Sequence, residues 1–316
     1  MFRTRTTRNP FARMYDGLFR HEEWNIGIAS QPISAFLEGS TKPRIHWFPR
    51  PRHGMFLADP FGLTYGQMAF ILCEEYDYNT ATPRIIAVKI DAATRPSVVE
   101  PAVGLPVRAS YPYLIEHQGS VYCIPEAYQT GEIALYRAAE FPYRWTKVDV
   151  LVSDFAGLDS TVFQHDGRWW LFCTSQEYGS LDRLFIWYAD DLVGPWRSHT
   201  RNPVKTDIRS SRPAGTPFVH DSYLYRPAQD CSRTYGGRIV LNRVVRLSPH
   251  GFEEEPSAFV EPDPSGPYPN GLHTISALGN VTVIDGKRFT FVRSAFKRAL
   301  MKRFTKPGTR LLPMSH

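Results

Sequence analysis

The sequence predicts an all-β chain folded as a five-bladed β-propeller, preceded by a short helix and followed by a basic helix and tail. Three observations carry this expectation. Five segments open alike (ADPFGL, SYPYLI, LDSTVF, GTPFVH and HTISAL), and their register residues Asp59, Tyr111, Asp159, Thr216 and His273 lie 52, 48, 57 and 57 residues apart. Each opening leads through a turn into an apolar run, and third runs follow as RIIAVKI, EIALYRA, RLFIWYA and RIVLNRV. These runs are rich in β-branched and aromatic residues, and short strands repeating every ~50 residues are how propeller blades read in sequence. An irregular all-β sandwich is the alternative.

The elements follow in chain order. Asn9 and Pro10 suit a helix cap and first turn, and Phe11, Met14, Tyr15, Leu18 and Phe19 keep helical spacing. Residues 1–23 are therefore expected to form a basic helical segment on the underside of the propeller, with a partner-binding helix as the alternative. Residues 24–296 form the propeller, within which residues 24–30 are a β-like run without a module of its own. Because the fifth module lacks a clear final strand, this run is expected to close the last blade and remove an open sheet edge. Gln118-Gly119, Asp166-Gly167 and Asp285-Gly286 read as hairpin turns, since Gly supplies the positive φ such turns need, and His220-Asp221 reads as a turn without Gly. Near the end, Phe296, Leu300 and Phe304 recur at helical spacing among Lys297, Arg298, Lys302 and Arg303. Residues 297–316 are expected to be the end of a basic helix and a loose tail.

The chain has 316 residues, 42% hydrophobic and 14% aromatic, and a formal net charge of +6. That charge is unevenly placed. Residues 1–20 hold five Arg against Asp16 (+4) and residues 287–316 hold nine Lys/Arg and no acid (+9), so +6 − 4 − 9 leaves −7 for residues 21–286. An acidic body argues against a nucleic-acid groove across the protein. The basic ends leave room for an anionic partner, and a short basic amphipathic helix can lie on an anionic membrane surface, the alternative being a solvated cap docked on the last blade. No run is apolar for long enough to span a membrane, and the start lacks the apolar stretch of a secretory signal. The expected location is cytoplasmic, and peripheral at the inner membrane if the tail docks. Cys73, Cys123 and Cys173 are spaced by 50 and 50. With Cys231 they are expected to be buried free thiols, the first three at one position of successive modules.

The first strand of each blade lines a propeller's channel, so the register residues converge on the axis. Two carboxylates there, Asp59 and Asp159, would split their pKa values in a partly dehydrated funnel, and paired carboxylates flanking a bond are the usual equipment for glycoside cleavage. The bland alternative for an Asp at such a place is a cap at the start of a strand. Glu126 ends a second strand and is the best candidate acid. Glu75 occupies what reads as the matching place in blade one. Tyr111, Tyr113 and Tyr128 are expected to wall Glu126, whose other option is an ion pair with Arg212 or Arg226. Arg226, Gln229 and Asp230 form a polar break in a strand that suits sugar hydroxyls or a phosphate. His273 could bind substrate, a water or an ion, although a lone His is more often structural. No cofactor or metal motif stands out.

Residues 58–61 (ADPF), 158–163 (LDSTVF) through 167–172 (GRWWLF) and 191–196 (DLVGPW) resemble blades of the five-bladed glycosidases of glycoside hydrolase families 43, 32 and 68. More narrowly, the ordered run FLADPF, SYPYLIE, IPEAYQTGEIALYRA, LDSTVFQHDGRWWLF, LYRPAQDC and HTISALG resembles the N-terminal domain of glucosamine inositolphosphorylceramide transferases and similar stand-alone bacterial proteins. The resemblance implies a carbohydrate site at the axis, with Asp59 as nucleophile or general base and Asp159 as the residue that orients substrate and tunes the acid. The glycosidases open their fourth blade with a Glu. Here residues 211–217 read SRPAGTP, so that acid does not carry over. The sequence thus supports a glycosidase-like or glycan-transferring protein acting on a carbohydrate or glycolipid. The second reading is a non-catalytic glycan- or partner-binding propeller.

Overall fold

The computed structural model describes residues 10–39, 43–90, 96–103 and 108–305. Its five sheets are the blades. Helix α1 (Pro10–Phe19) leads into β1 (His21–Ala29) and β2 (Ile45–Trp47). Blade one comprises β3 (Met55–Tyr65), β4 (Met68–Asp77), β5 (Thr82–Ile90) and β6 (Pro96–Val103). Blade two comprises β7 (Ser110–His117), β8 (Ser120–Glu126), β9 (Ile133–Glu140) and β10 (Arg144–Val152). Blade three holds β11 (Gly157–His165), β12 (Arg168–Ser175), β13 (Arg183–Ala189), β14 (Arg197–Ser198) and β15 (Lys205–Thr206). Blade four holds β16 (Phe218–His220), β17 (Tyr223–Asp230), β18 (Arg238–Ser248) and β19 (Gly251–Val260). Blade five has the order β2-β1-β21-β20, with β20 (Ile275–Leu278) and β21 (Val281–Thr290) from the end of the body. Helix α2 (Arg293–Thr305) follows. The tail expectation falls outside the described residues beyond Thr305.

Ring closure is made by β1, which runs antiparallel to β21 from His21↔Thr290 to Ala29↔Thr282. The N-terminal segment supplies a further strand that the sequence reading did not anticipate, since β2 pairs with β1 through Gly27↔Trp47. Trp24 and Ile26 of β1 are buried, so closure also fills the last inter-blade core.

Four readings of detail are corrected. The cysteines do not share one position: Phe61↔Leu72, Tyr113↔Ile124 and Thr161↔Phe172 are equivalent pairs, which matches Cys73 to Pro125 and Cys173 while Cys123 matches Ile71 and Leu171. All four are nonetheless buried free thiols. Asp285-Gly286 is not a turn, because β21 runs straight through it and the hairpin turns at Gly279 (φ +57) and Asn280. Helix α1 is not on the underside. β21 ends at the same end of the propeller as β4 and β8, α2 follows it directly, and Arg298 of α2 donates to the Asn79 carbonyl in the β4–β5 turn (3.4 Å). α1 meets α2 there, with the Phe19 and Phe296 rings 5.4 Å apart.

The fourth correction concerns register. In blades one to three the register residues Asp59, Tyr111 and Asp159 take left-handed φ values of +52, +43 and +51, whereas in blade four that role falls to Gly215 (φ +115), one residue before Thr216. A Cβ on Gly215 would sit 1.8 Å from the Ile275 carbonyl oxygen, because the blade-four opening pairs with β20. Only glycine allows that approach. Gly215→Ala is expected to cost about 3 kcal/mol in urea unfolding, through overpacking against backbone. Gly119→Ala, at φ +71 with open space around it, should cost only about 1 kcal/mol.

Candidate active site at the propeller axis

The site rests on a repeated β-bulge. In blade one the register passes from Ala58↔Glu74 to Phe61↔Leu72, so two residues of β3 face one of β4. Blades two and three repeat it at Ser110↔Glu126 to Tyr113↔Ile124 and at Leu158↔Thr174 to Thr161↔Phe172. Asp tolerates the left-handed region that a bulge imposes, and bulges re-aim side chains beside functional sites. Asp59 and Asp159 are thereby turned into the ring's interior, where each is buried but bonded across blades.

Asp159 of blade three is held by blade four. Arg212 clamps it with Nε 2.5 Å from Oδ2 and Nη2 3.0 Å from Oδ1, and Gln229 Nε2 donates to Oδ2 at 2.7 Å. Asp159's backbone N–H donates to Glu126 Oε2 (3.0 Å), and Ser110 Oγ donates to Oε1 (3.1 Å). Arg212 Nη2 stands farther from Glu126, at 3.8 Å, so the arginine serves Asp159 first. Asp59 accepts from Thr274 Oγ1 (2.8 Å) at the oxygen that faces His273 Nε2 (3.4 Å). His273 stacks on Trp24 with centroids 3.9 Å apart. Its Nδ1 lies 2.5 Å from Asp285 Oδ2, an ion contact without hydrogen-bond alignment. Asp285 in turn accepts the backbone N–H groups of His273, Thr274 and Asp59.

Burial sets the protonation of this cluster. Desolvation, reinforced by the Asp159 charge and only partly offset by Arg212, pushes the Glu126 carboxyl up to about 8. Desolvation raises Asp59 to about 6 against the pull of His273. His273 itself is held up at about 9, because the carboxylates of Asp285 and Asp59 outweigh the desolvation that opposes its charge. Glu74, desolvated and facing Asp59 and Glu126, lies well above the usual carboxylate range. Near neutrality the axis thus offers a protonated Glu126 beside a Asp159 fixed as acceptor of three side-chain hydrogen bonds.

The structure brings Asp59, Asp159, Glu126, Arg212, Gln229 and His273 together and leaves out four residues expected to contact substrate. Glu75 faces the other side of β4 and pairs with Arg84 at 2.5 Å. The residue equivalent to Glu126 is Glu74, one position earlier, and the 52-residue module interval itself points to it. Tyr111 is 0% exposed and acts as a strut: its hydroxyl bonds Thr161 Oγ1 (2.9 Å) and accepts the Gly215 N–H (2.7 Å), tying blades two, three and four. Arg226, 1% exposed, spends its guanidinium on Glu254 and on the Ser210 and Ser211 carbonyls. Asp230 alternates away from Gln229, binds Ser232 and Arg238, and lines a separate cavity of about 470 Å³ with Arg20, Glu22, Arg233 and Phe289. Asp285, Thr274, Trp24 and Tyr235 were missed. Asp285 was hidden by its misread turn. Tyr235, whose ring lies 5.2 Å from the Arg212 guanidinium and 5.3 Å from His273, sits in a loop without pattern. Among the described residues, Asp59, His273 and Asp285 form a group with ligand atoms close enough to hold a metal ion.

This fold and site define a class: a five-bladed propeller with an acidic, cross-braced axial centre. The family model of glucosamine inositolphosphorylceramide transferase 1, N-terminal, matches residues 48–265, and the chain belongs to that family. It is 33% identical to glucosamine inositolphosphorylceramide transferase 1 of Oryza sativa subsp. japonica over 248 residues, 74% of this chain and 33% of that protein. It is 32% identical to the Arabidopsis thaliana protein of that name over 205 residues, 63% of this chain and 27% of that one. The chain thus spans about a third of the length of these curated relatives. Among solved structures, Zg3597, a family 117 glycoside hydrolase of Zobellia galactanivorans, is similar with a TM-score of 0.54 at 15% identity, covering 85% of this chain and 91% of that one. CoXyl43, a GH43 β-xylosidase/α-arabinofuranosidase from a compost metagenome, has a TM-score of 0.52 at 12% identity, covering 75% and 91%. These two share the fold.

The raised pKa values have a consequence for stability. Asp59, Glu126 and His273 all sit above their ordinary values of 3.8, 4.5 and 6.5, so at these three groups the folded protein holds more protons than the unfolded chain. Stability then falls as pH rises, each share being lost on passing about 6, 8 and 9 respectively. The Tm measured by calorimetry should decline between pH 6.5 and 9, and Glu126→Gln should flatten the part of the decline below about pH 8. A Tm that rises over that range would contradict the assignment.

Proposed function

We propose that the chain is a carbohydrate-active protein, glycosidase-like or transferring glycan, whose axial carboxylates act on a glycosidic bond of a glycan or glycolipid. The observation that carries this reading is Glu126, desolvated and held up at about 8 beside Asp159. A general acid must keep its proton at the working pH and stand where a leaving group can take it. As the glycosidic C–O bond breaks, Glu126 gives its proton to the leaving oxygen. Asp59 takes the proton of the incoming water or acceptor hydroxyl as the new C–O bond forms. Asp159, fixed by Arg212 and Gln229, orients the sugar and supports the proton on Glu126. Glu126 thus takes the role that the missing fourth-blade Glu leaves open.

The relatives named as glycolipid transferases support a glycan or glycolipid as substrate class, and an acidic centre disfavours nucleic acid. For the basic ends we propose an anionic membrane surface as partner, with a cytoplasmic, membrane-peripheral location. No described helix is long and apolar enough to cross a membrane. One observation favours the second reading, a glycan-binding propeller without chemistry: Asp59 and Asp159 are only 5% and 3% exposed.

Turnover of glycan and nucleotide-sugar panels separates the two. The catalytic reading expects a bell-shaped pH profile of kcat/KM with limbs near the values of Asp59, about 6, and Glu126, about 8. Glu126→Gln should lower kcat about 10²–10⁴-fold and remove the alkaline limb. Glycan binding by the wild-type protein without cleavage or transfer would support the binding reading instead.

A further inference from the structure

The two helices lie at the end of the propeller where the second strands finish, which is also the end carrying Asp59, Glu126 and Asp159. They meet through a cluster of rings. Tyr15 and Phe19 are 5.1 Å apart, Phe19 lies 6.1 Å from Phe291, and Phe291 lies 5.7 Å from Phe296. Leu18 and Ala295 turn inward, whereas Met14, Tyr15, Phe19, Phe291 and Met301 remain 41–58% exposed. The exposed rings of Tyr15, Phe19 and Phe291 form one contiguous apolar patch with Phe296, more than the scattered exposure of an ordinary surface.

The charge on α2 is of one sign. The sequence of α2, RSAFKRALMKRFT, contains five Lys/Arg and no acid. Arg293 and Lys297 are exposed, and among the described residues no ion pair joins Arg293, Lys297 or Arg298 to a carboxylate. The Arg20 guanidinium adds a cation 4.1 Å above the Phe289 ring beside this face. A helix serving only as a cap on a body of charge −7 gains from pairing its cations with that body's carboxylates, whereas Arg298 reaches the body only at the Asn79 carbonyl and Arg293 and Lys297 stay exposed. Rings and thioethers flanked by cations match an interface where apolar groups sink below anionic headgroups.

We propose that α1 and α2 together form a docking face for an anionic membrane surface, which turns the axial site toward the bilayer. A lipid headgroup then reaches the axis without leaving the membrane. This deepens the membrane part of the function proposed above and is independent of the glycosidic chemistry.

Sedimentation with vesicles of phosphatidylcholine alone, and of phosphatidylcholine with phosphatidylserine, tests it. The protein should bind the anionic vesicles only, and release them at ~1 M salt, where the Debye length falls to ~3 Å. Lys297→Glu with Arg298→Glu should weaken binding at least ~10-fold, and Phe291→Ser with Met301→Ser should weaken it too. Lys297, Arg298 and Met301 lie on α2 and Phe291 in the link that precedes it, and the Tm of each variant serves as a control for folding. For orientation, a polarity-sensitive fluorophore on Asn79→Cys should respond to vesicles, while one on Met68→Cys at the opposite end should not. Absence of anionic vesicle binding overturns both the membrane reading and the docking face. Vesicle binding with the reverse fluorophore pattern overturns the docking face alone. Self-association abolished by Phe291→Ser, without vesicle binding, makes a second copy the occupant and overturns the proposal.

Discussion

Carboxylate charge brought to the axis of a propeller has to be answered by something on another blade, and the centre of this protein is organised around that requirement. An isolated buried carboxylate costs several kcal/mol, so it is either paired, hydrogen-bonded or protonated. Asp159 takes the first course with Arg212 and Gln229 of blade four. Asp59 shares His273 and Thr274 of blade five. Glu126 takes the third and keeps its proton to about 8. Each solution crosses a blade boundary, so ring closure and the protonation pattern depend on each other. Closure by β1 also brings Trp24 against His273, the residue that answers Asp59.

The same requirement explains the strained openings. A regular strand would direct alternate side chains up and down between blades, and the bulge at each opening turns Asp59 and Asp159 into the axis instead. Tyr111 at the matching place bears the same left-handed backbone and uses its hydroxyl as a brace to Thr161 and Gly215. Strain of this kind persists where surrounding structure over-determines it. Here the cross-blade bonds do so.

Much of the architecture was legible because a repeat is a physical signal: each blade must bury both faces, so the apolar runs recur. The carboxylates Asp59 and Asp159 followed from that register, and Glu126 from its place at the end of a second strand. What was lost depended on single-residue phase. Side chains alternate with period two in a strand, so placing Glu75 rather than Glu74 opposite the axis moves the residue to the wrong face. The even cysteine spacing misled for a different reason: the modules are 52 and 48 residues long, so Cys123 falls two residues short of the position of Cys73 and Cys173. Arg226 and Asp230 looked like a polar break, but the sequence does not reveal that Glu254 and Arg238, from the neighbouring strands, already occupy them. Asp285 carried a turn signature, Asp-Gly, inside a strand long enough to override it.

The basic helix α2 and the acidic centre share one end of the molecule, so the net charge of +6 describes neither. The central claim is that burial at the axis keeps Glu126 protonated near neutrality. The direct measurement is a titration of the ¹³Cδ carboxyl resonances of glutamate-labelled protein, with the Glu126 signal assigned by its loss in Glu126→Gln. A midpoint for Glu126 near 8 is expected. A midpoint near the ordinary value of 4.5 would contradict it.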